Sequence, residues 1–392
     1  MRLVHNAAAR RDAPWTPAQD AILSDAGLAE AHQVVSSWTG YAPTPLHALP
    51  ALAAQAGIAA LHVKDESGRF GIGSFKALGG AYAVAHVLAR QASGVAGRAI
   101  GTADVADGGL SDLVRDIVVT CATDGNHGRS VAWSAQRFGC RAVIYIHETV
   151  SEGRAAAIAS FGAEVRRVPG DYDDSVRIAA KVAADEGWHV VSDTSWPGYA
   201  DVPRHVMQGY EIMAAEAFAA LDAAPTHIFL QTGVGGMAAA VAALAKRRWG
   251  DARPCIVLAD PVGAACWADS IAAGEPTVAQ GAVDTMQAGL ACGEVSQLAW
   301  TILRDHGDFV ITVPDAAIGP MMRRLAAPTG ADPAIEAGES AVAGLVACLS
   351  ADDAMRQAIG LGASSRVLAF STEGATDPDL YHSIIAGGAG HA

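Results

Sequence analysis

HIFLQTGVGGMAAAVAALAK (227–246) decides the architecture. Its first five residues, HIFLQ (227–231), carry an apolar centre, as a strand buried on both faces of a parallel sheet does. The last part is alanine-rich and reads as a helix. Between them TGVGGM (232–237) holds three glycines. Strand, tight glycine turn and helix N-terminus together aim backbone N–H groups at one point, where the helix dipole favours negative charge. The turn lacks the Lys-Ser/Thr of a P-loop. It also lacks the GxGxxG spacing and later acidic residue of a dinucleotide site. A single phosphate monoester suits it better than a nucleotide; a glycine turn kept only for packing is the plainer alternative.

The same alternation extends outward in both directions. Strands are predicted at IVVTCA (117–122), AVIYIH (142–147), EVRRV (164–168), HVVSD (189–193), CIVLAD (255–260), FVITV (309–313) and RVLAF (366–370). Helical patterns lie at 74–89, 126–138, 151–161, 173–186, 205–222, 235–248, 315–327 and 336–349. This βαβα rhythm predicts doubly wound α/β domains with a ligand crevice beyond the strand C-termini. A length of 392 residues is too great for one ordinary core. The expected division is a large domain from 1–85 plus 220–392 and a small α/β domain from 86–219. The stretches 93–112 and 261–294 read as loops.

Composition narrows the function. Hydrophobic residues make up 51% and charged residues 17%, which argues against disorder. A formal net charge of −14 disfavours a nucleic-acid partner, which needs a basic footprint. Six cysteines without a CxxC pair read as reduced thiols, and no apolar run approaches the roughly 18 residues of a membrane span. A cytoplasmic protein with no membrane partner is expected. His, Cys and Asp do not show metal-ligand spacing, so no metal site is expected.

Three further segments carry chemistry. In SFKALGGAYAV (74–84), Lys76 opens an apolar helix. A lysine in apolar surroundings loses proton affinity and becomes a nucleophile able to form imines, although a helix lysine is by default solvated. TDGNHG (123–128) follows a strand and precedes a helix, which presents Asp124 and Asn126 at the crevice; an N-capped turn is the alternative. In FSTEGATD (370–377) a hydroxyl after the last strand can hydrogen-bond a ring nitrogen, or simply cap a turn. His127 reads as a packing or capping residue more readily than a catalytic one. Glu339 is expected to begin a helix, where a solvated first-turn acid and an acid beside a cofactor are equally plain readings. Cys266 and Cys292 fall in one loop zone, where a bridge is geometrically unspecified.

Together and in this order, these segments resemble the fold-type II (tryptophan synthase β-like) pyridoxal-phosphate enzymes. KDESGRFGIGSFKALGGAYA (64–83), ATDGNHGRSVAW (122–133), SDTSWPGY (192–199), MQGY (207–210), MQAGLACGE (286–294) and STEG (371–374) resemble the diaminopropionate ammonia-lyases within that group. The likeness runs from about residue 40 to 377. It implies pyridoxal 5'-phosphate as cofactor, with Lys76 as the Schiff-base lysine and a base at Cα. It implies that Asn126 contacts the cofactor ring oxygen, that Gly233, Val234, Gly235, Gly236 and Met237 line its phosphate, and that Ser371 or Thr372 faces the ring nitrogen. Asp124 and Asp193 would handle the extra amino group and the protons of a diamino-acid substrate. The implied reaction is α,β-elimination of D- or L-2,3-diaminopropionate to pyruvate and ammonia, in a homodimer acting on a small amino acid. A serine/threonine dehydratase or β-replacement synthase of the same fold is the alternative, and a non-enzymatic cofactor-binding protein a more distant one. The segment 93–112, Ser74 and the Ala265-Cys266-Trp267 neighbourhood depart from the family pattern.

Overall fold

A computed structural model describes residues 1–388 apart from 107, 171, 280 and 282. Among the described residues, eleven strands form two sheets: β1 (Leu3–His5), β2 (Leu46–Ala48), β3 (Ala60–Asp65), β4 (Val118–Ala122), β5 (Arg141–His147), β6 (Glu164–Val168), β7 (His189–Val190), β8 (His227–Gln231), β9 (Cys255–Pro261), β10 (Phe309–Val313) and β11 (Arg366–Ser371). The larger sheet runs β1-β10-β9-β8-β11-β3-β2 and the smaller β6-β5-β4-β7. Inner neighbours are parallel, and only the short outer strands β1 and β2 pair antiparallel. Every residue of β4, β8 and β9 is buried, as strands covered by helices on both faces must be. The fold is α/β with the predicted alternation.

Each predicted strand is present. β7 stops at Val190, because the chain then turns to carry Ser192 and Asp193 away from the ladder. β1, β2 and β3 were not anticipated. The first two are three residues long and half-exposed, so they carry no periodic signal and exist only through their partners. The helix expected at 336–349 begins only at Ala343. Residues 336–342 instead stay irregular, and Gly338 N–H donates to the Glu373 carbonyl at 3.0 Å. Glu339 therefore sits in this connection and not at a helix start. The loop expected at 93–112 holds the end of helix Lys76–Ala96 and two short turns of helix, and 261–294 contains helix Cys266–Ala273.

Small residues set the helix packing that positions the first functional segment. A methyl group on Gly79 would overlap the Val206 carbonyl and Tyr210 ring. One on Gly209 would come within 2.7 Å of Gly79 Cα, and one on Gly80 would overlap Ser130 Oγ. Helix Lys76–Ala96 is thus held backbone to backbone against helix Asp201–Ala220, while the Ser130 side chain of helix Asn126–Phe138 fills the space left at Gly80. Ser130 Oγ donates to the Lys76 carbonyl at 2.8 Å and ties the first turn down. No helix of the described residues is long and apolar enough to cross a membrane.

Candidate active site

The turns after β4, β8 and β11 and the first turn of helix Lys76–Ala96 converge on one cavity. Lys76, Asp124, Asn126, Asp193, Gly233, Val234, Gly235, Gly236, Met237 and Thr372 all line it. Ser371 does not. The crevice lies beyond strand C-termini, where parallel α/β sheets leave loops and helix N-termini free.

Lys76 Nζ lies 2.5 Å from Asp193 Oδ2, above the Phe75 ring (5.3 Å) and the Tyr210 ring (5.7 Å). Burial lowers the ammonium's proton affinity, but the Asp193 carboxylate more than offsets this, so the pKa of Lys76 is raised. Sequence reasoning expected a lysine with lowered affinity. The correction has a plain cause: an opposite charge in contact outweighs desolvation. Asp193 is held well below the usual carboxylate range, because Lys76 and His127 overcome its own burial. His127 is buried and also lines the cavity: Nε2 lies 2.7 Å from the Val191 carbonyl, and Nδ1 lies 3.8 Å from Asp193.

Residues 233–237 form a backbone cradle. Gly235 has φ +96°, and a methyl there would overlap the Trp267 indole, whose Nε1 donates to the Gly233 carbonyl at 2.9 Å. A methyl on Gly233 would lie 3.0 Å from Cys292 Sγ. Helix Gly236–Trp249 starts at this turn, so its first N–H groups have no intrahelical acceptor. Among the described lining residues Lys76 is the one lysine or arginine, and the glycines of the cradle offer an anion backbone donors. Across the cavity, Thr372 Oγ1 accepts from Gln231 Nε2 at 2.8 Å, which leaves its hydroxyl hydrogen free to donate. Ser371 Oγ is buried and has no hydrogen-bond partner among the described residues.

Two further acids, Asp124 and Glu373, stand on the remaining wall. Asp124 Oδ1 lies 2.5 Å from His147 Nε2; burial raises the Asp124 pKa more than His147 and Arg154 lower it. Asn126 Nδ2 donates to Glu373, and Arg154 to Glu339. Burial and the nearby Glu339 charge push Glu373 up to about 7. Glu373, Tyr210, Tyr172 and Cys292 were not assigned to the site from sequence. Three of these sit inside quoted segments (STEG, MQGY and MQAGLACGE), but nothing in those segments says which side chain turns inward. Cys266 and Cys292 are both free thiols.

The model of the pyridoxal-phosphate dependent enzyme family matches residues 38–373. The chain belongs to this family. It is 38% identical to the diaminopropionate ammonia-lyase of Salmonella typhimurium over 364 residues, covering 89% of each chain. It is 37% identical to that of Escherichia coli K12 over 363 residues, covering 90% of this chain and 89% of the relative. A crystal structure of the Escherichia coli enzyme in complex with an aminoacrylate–PLP azomethine reaction intermediate superposes with TM-score 0.87 at 34% identity, covering 98% of this chain and 96% of that one. Threonine deaminase isoform 2 from Solanum lycopersicum, at TM-score 0.72 and 19% identity, shares the fold. The residues present fit the family's cofactor. Lys76 supplies an amine in the cavity, the 233–237 backbone suits a phosphate because Gly233 and Gly235 leave no room for side chains, and Thr372 offers a free hydroxyl donor.

Proposed function

We propose that this enzyme eliminates ammonia from 2,3-diaminopropionate, giving pyruvate and ammonia, with pyridoxal phosphate linked to Lys76. The observation that carries the substrate choice is the acidic wall: Asp124, Asp193 and Glu373 line one cavity with a single lysine. Such a wall suits a substrate with a second ammonium group, a charge that serine and threonine lack. The identity to named diaminopropionate ammonia-lyases over about nine-tenths of the chain supports the same choice.

When bound, the cofactor supplies an electron sink for the pair left at Cα. Gly233, Val234, Gly235, Gly236 and Met237 hold its phosphate, Asn126 its ring oxygen and Thr372 its ring nitrogen. Lys76 takes the Cα proton of the L-substrate and Asp124 that of the D-substrate. Asp193 orients the Lys76 amine and pairs with the positive charge of the substrate's β-ammonium. The ring faces of Phe75 and Tyr210 lie beneath the lysine nitrogen and favour its positive charge. We further propose a homodimer, on family likeness, and a cytoplasmic location, which the six free thiols support.

The test is pyruvate release from D- and L-2,3-diaminopropionate, serine and threonine, measured in parallel on the holoenzyme. Diaminopropionate is expected to be the best substrate by kcat/KM. Faster turnover of serine or threonine would move the enzyme to the dehydratases.

A further inference from the structure

One strong interaction of the cavity wall leads out of the cavity. β4 and β5 are parallel neighbours with Ala122 opposite Tyr145, so the turn carrying Asp124 and the strand end carrying His147 come side by side. His147 Nε2 lies 2.5 Å from Asp124 Oδ1, and Thr149 Oγ1 lies 2.9 Å from His147 Nδ1. Asp124 lines the cavity, whereas His147 stands behind it and Thr149 is exposed to solvent. One imidazole therefore spans the distance from a buried carboxylate to water. Both of its ring nitrogens are engaged, and a packing residue would need neither contact.

The charged surroundings leave His147 as the closest group controlling Asp124. Arg154, from helix Glu152–Ala159, faces it but is itself bound by Glu339, and Asp193 faces it as a like charge. On the β6 side, Arg167 donates to the carbonyls of His147, Glu148 and Val150 and pairs with Glu152 at 2.6 Å. Burial favours the neutral acid at Asp124, and the His147 hydrogen bond and charge oppose it.

We propose that His147 is a positioning residue that keeps Asp124 a carboxylate and carries its proton to solvent past the Thr149 hydroxyl, serving turnover of the D-substrate. The inference rests on the reading of Asp124 as the base for that enantiomer. In the step, the Cα–H bond breaks and its proton passes to an Asp124 oxygen. The electron pair stays with the substrate and expels the β-ammonium group, already protonated, as ammonia. The Asp124–His147 pair then holds one proton more than before and loses one from the Nδ1 side to Thr149 and water. One proton enters and one leaves, so the pair is ready again.

The experiment measures kcat/KM for D- and L-2,3-diaminopropionate as a function of pH on holoenzyme, for wild type, H147Q and D124N. Glutamine keeps a polar group but cannot take up a proton. The D-to-L ratio of kcat/KM in H147Q is expected to fall on the order of tenfold or more, the scale of general acid–base contributions. The ascending limb of the D profile should move to higher pH, because an amide carries no positive charge to favour the ionised form of Asp124. Imidazole added to H147A should restore part of the D turnover, which a purely structural residue would not allow. Absorbance of bound cofactor reports folding; where H147Q does not hold cofactor, H147N takes its place with the same readings. A wild-type ratio and D limb in the His147 variant, alongside loss of D turnover in D124N, overturns the inference. Normal D turnover in D124N overturns the role given to Asp124 itself.

Discussion

At the scale of single residues, the Lys76–Asp193 contact governs the chemistry. Lys76→Ala should abolish the visible absorbance of protein-linked cofactor, and a wild-type spectrum in that variant would refute the lysine assignment. The contact also makes a pH prediction. With Asp193 in place, the Lys76 pKa is raised, so its free amine is scarce near neutrality. Asp193→Asn removes the opposing charge, burial then dominates, and the Lys76 pKa drops. Cofactor-stripped D193N should therefore capture pyridoxal phosphate faster than wild type at neutral pH, with its rate–pH profile displaced downward. Stopped-flow absorbance reads this directly; superimposable profiles would show that the contact does not control the amine.

At the scale of elements, two glycine-built features do different work. In the turn from β8 into helix Gly236–Trp249, Gly235 is needed twice, for its left-handed backbone and for its contact with Trp267. Gly235→Ala should cost about 1–2 kcal/mol from the backbone alone, before the indole is displaced, and should weaken cofactor binding measured by titration. Gly236→Ala places its methyl no closer than 3.6 Å to Met207 Cγ and needs no positive φ. Its thermal midpoint should stay near that of wild type, and equal losses in the two variants would contradict this account. The other feature, the Gly79–Gly80 pair, serves helix packing and not the ligand.

At the scale of the whole molecule, a buried ionic network joins distant parts of the chain. Arg69 pairs with Glu66 at 2.8 Å and Glu216 at 2.7 Å, and Lys64 reaches the same Glu216 oxygen at 2.6 Å. Glu216→Ala would strand Lys64 and take one of two carboxylate partners from Arg69, both cations about 1% exposed, and should cost about 3–5 kcal/mol by urea unfolding. The sign of its pH dependence follows from the lowered Glu216 pKa, where Arg69 and Lys64 overcome burial. That stability is complete above the unfolded carboxyl value of about 4.3 and is lost as pH falls through the lower folded value. Wild type should converge on E216A in acid; parallel curves down to low pH would exclude the linkage.

The alternation of apolar strands and alanine-rich helices, and with it the α/β class, was determined by the sequence alone, because period and glycine-turn signals are local. The same holds for Lys76, Asp124, Asn126 and the 233–237 turn, each of which lies at the junction of a strand or loop with a helix. What only the tertiary structure decided depends on pairs far apart in the chain. Asp193 reverses the expected charge state of Lys76 across 117 residues, and the hydroxyl with a free hydrogen at the cavity proves to be Thr372 and not Ser371. His147 stands behind Asp124 because two parallel strands end side by side. The non-helical 336–342 stretch owes its path to Glu373, which accepts from Gly338 and Ser340. Local propensity encodes elements, but the proton affinity of a buried group is set by whichever charge the fold places in contact with it.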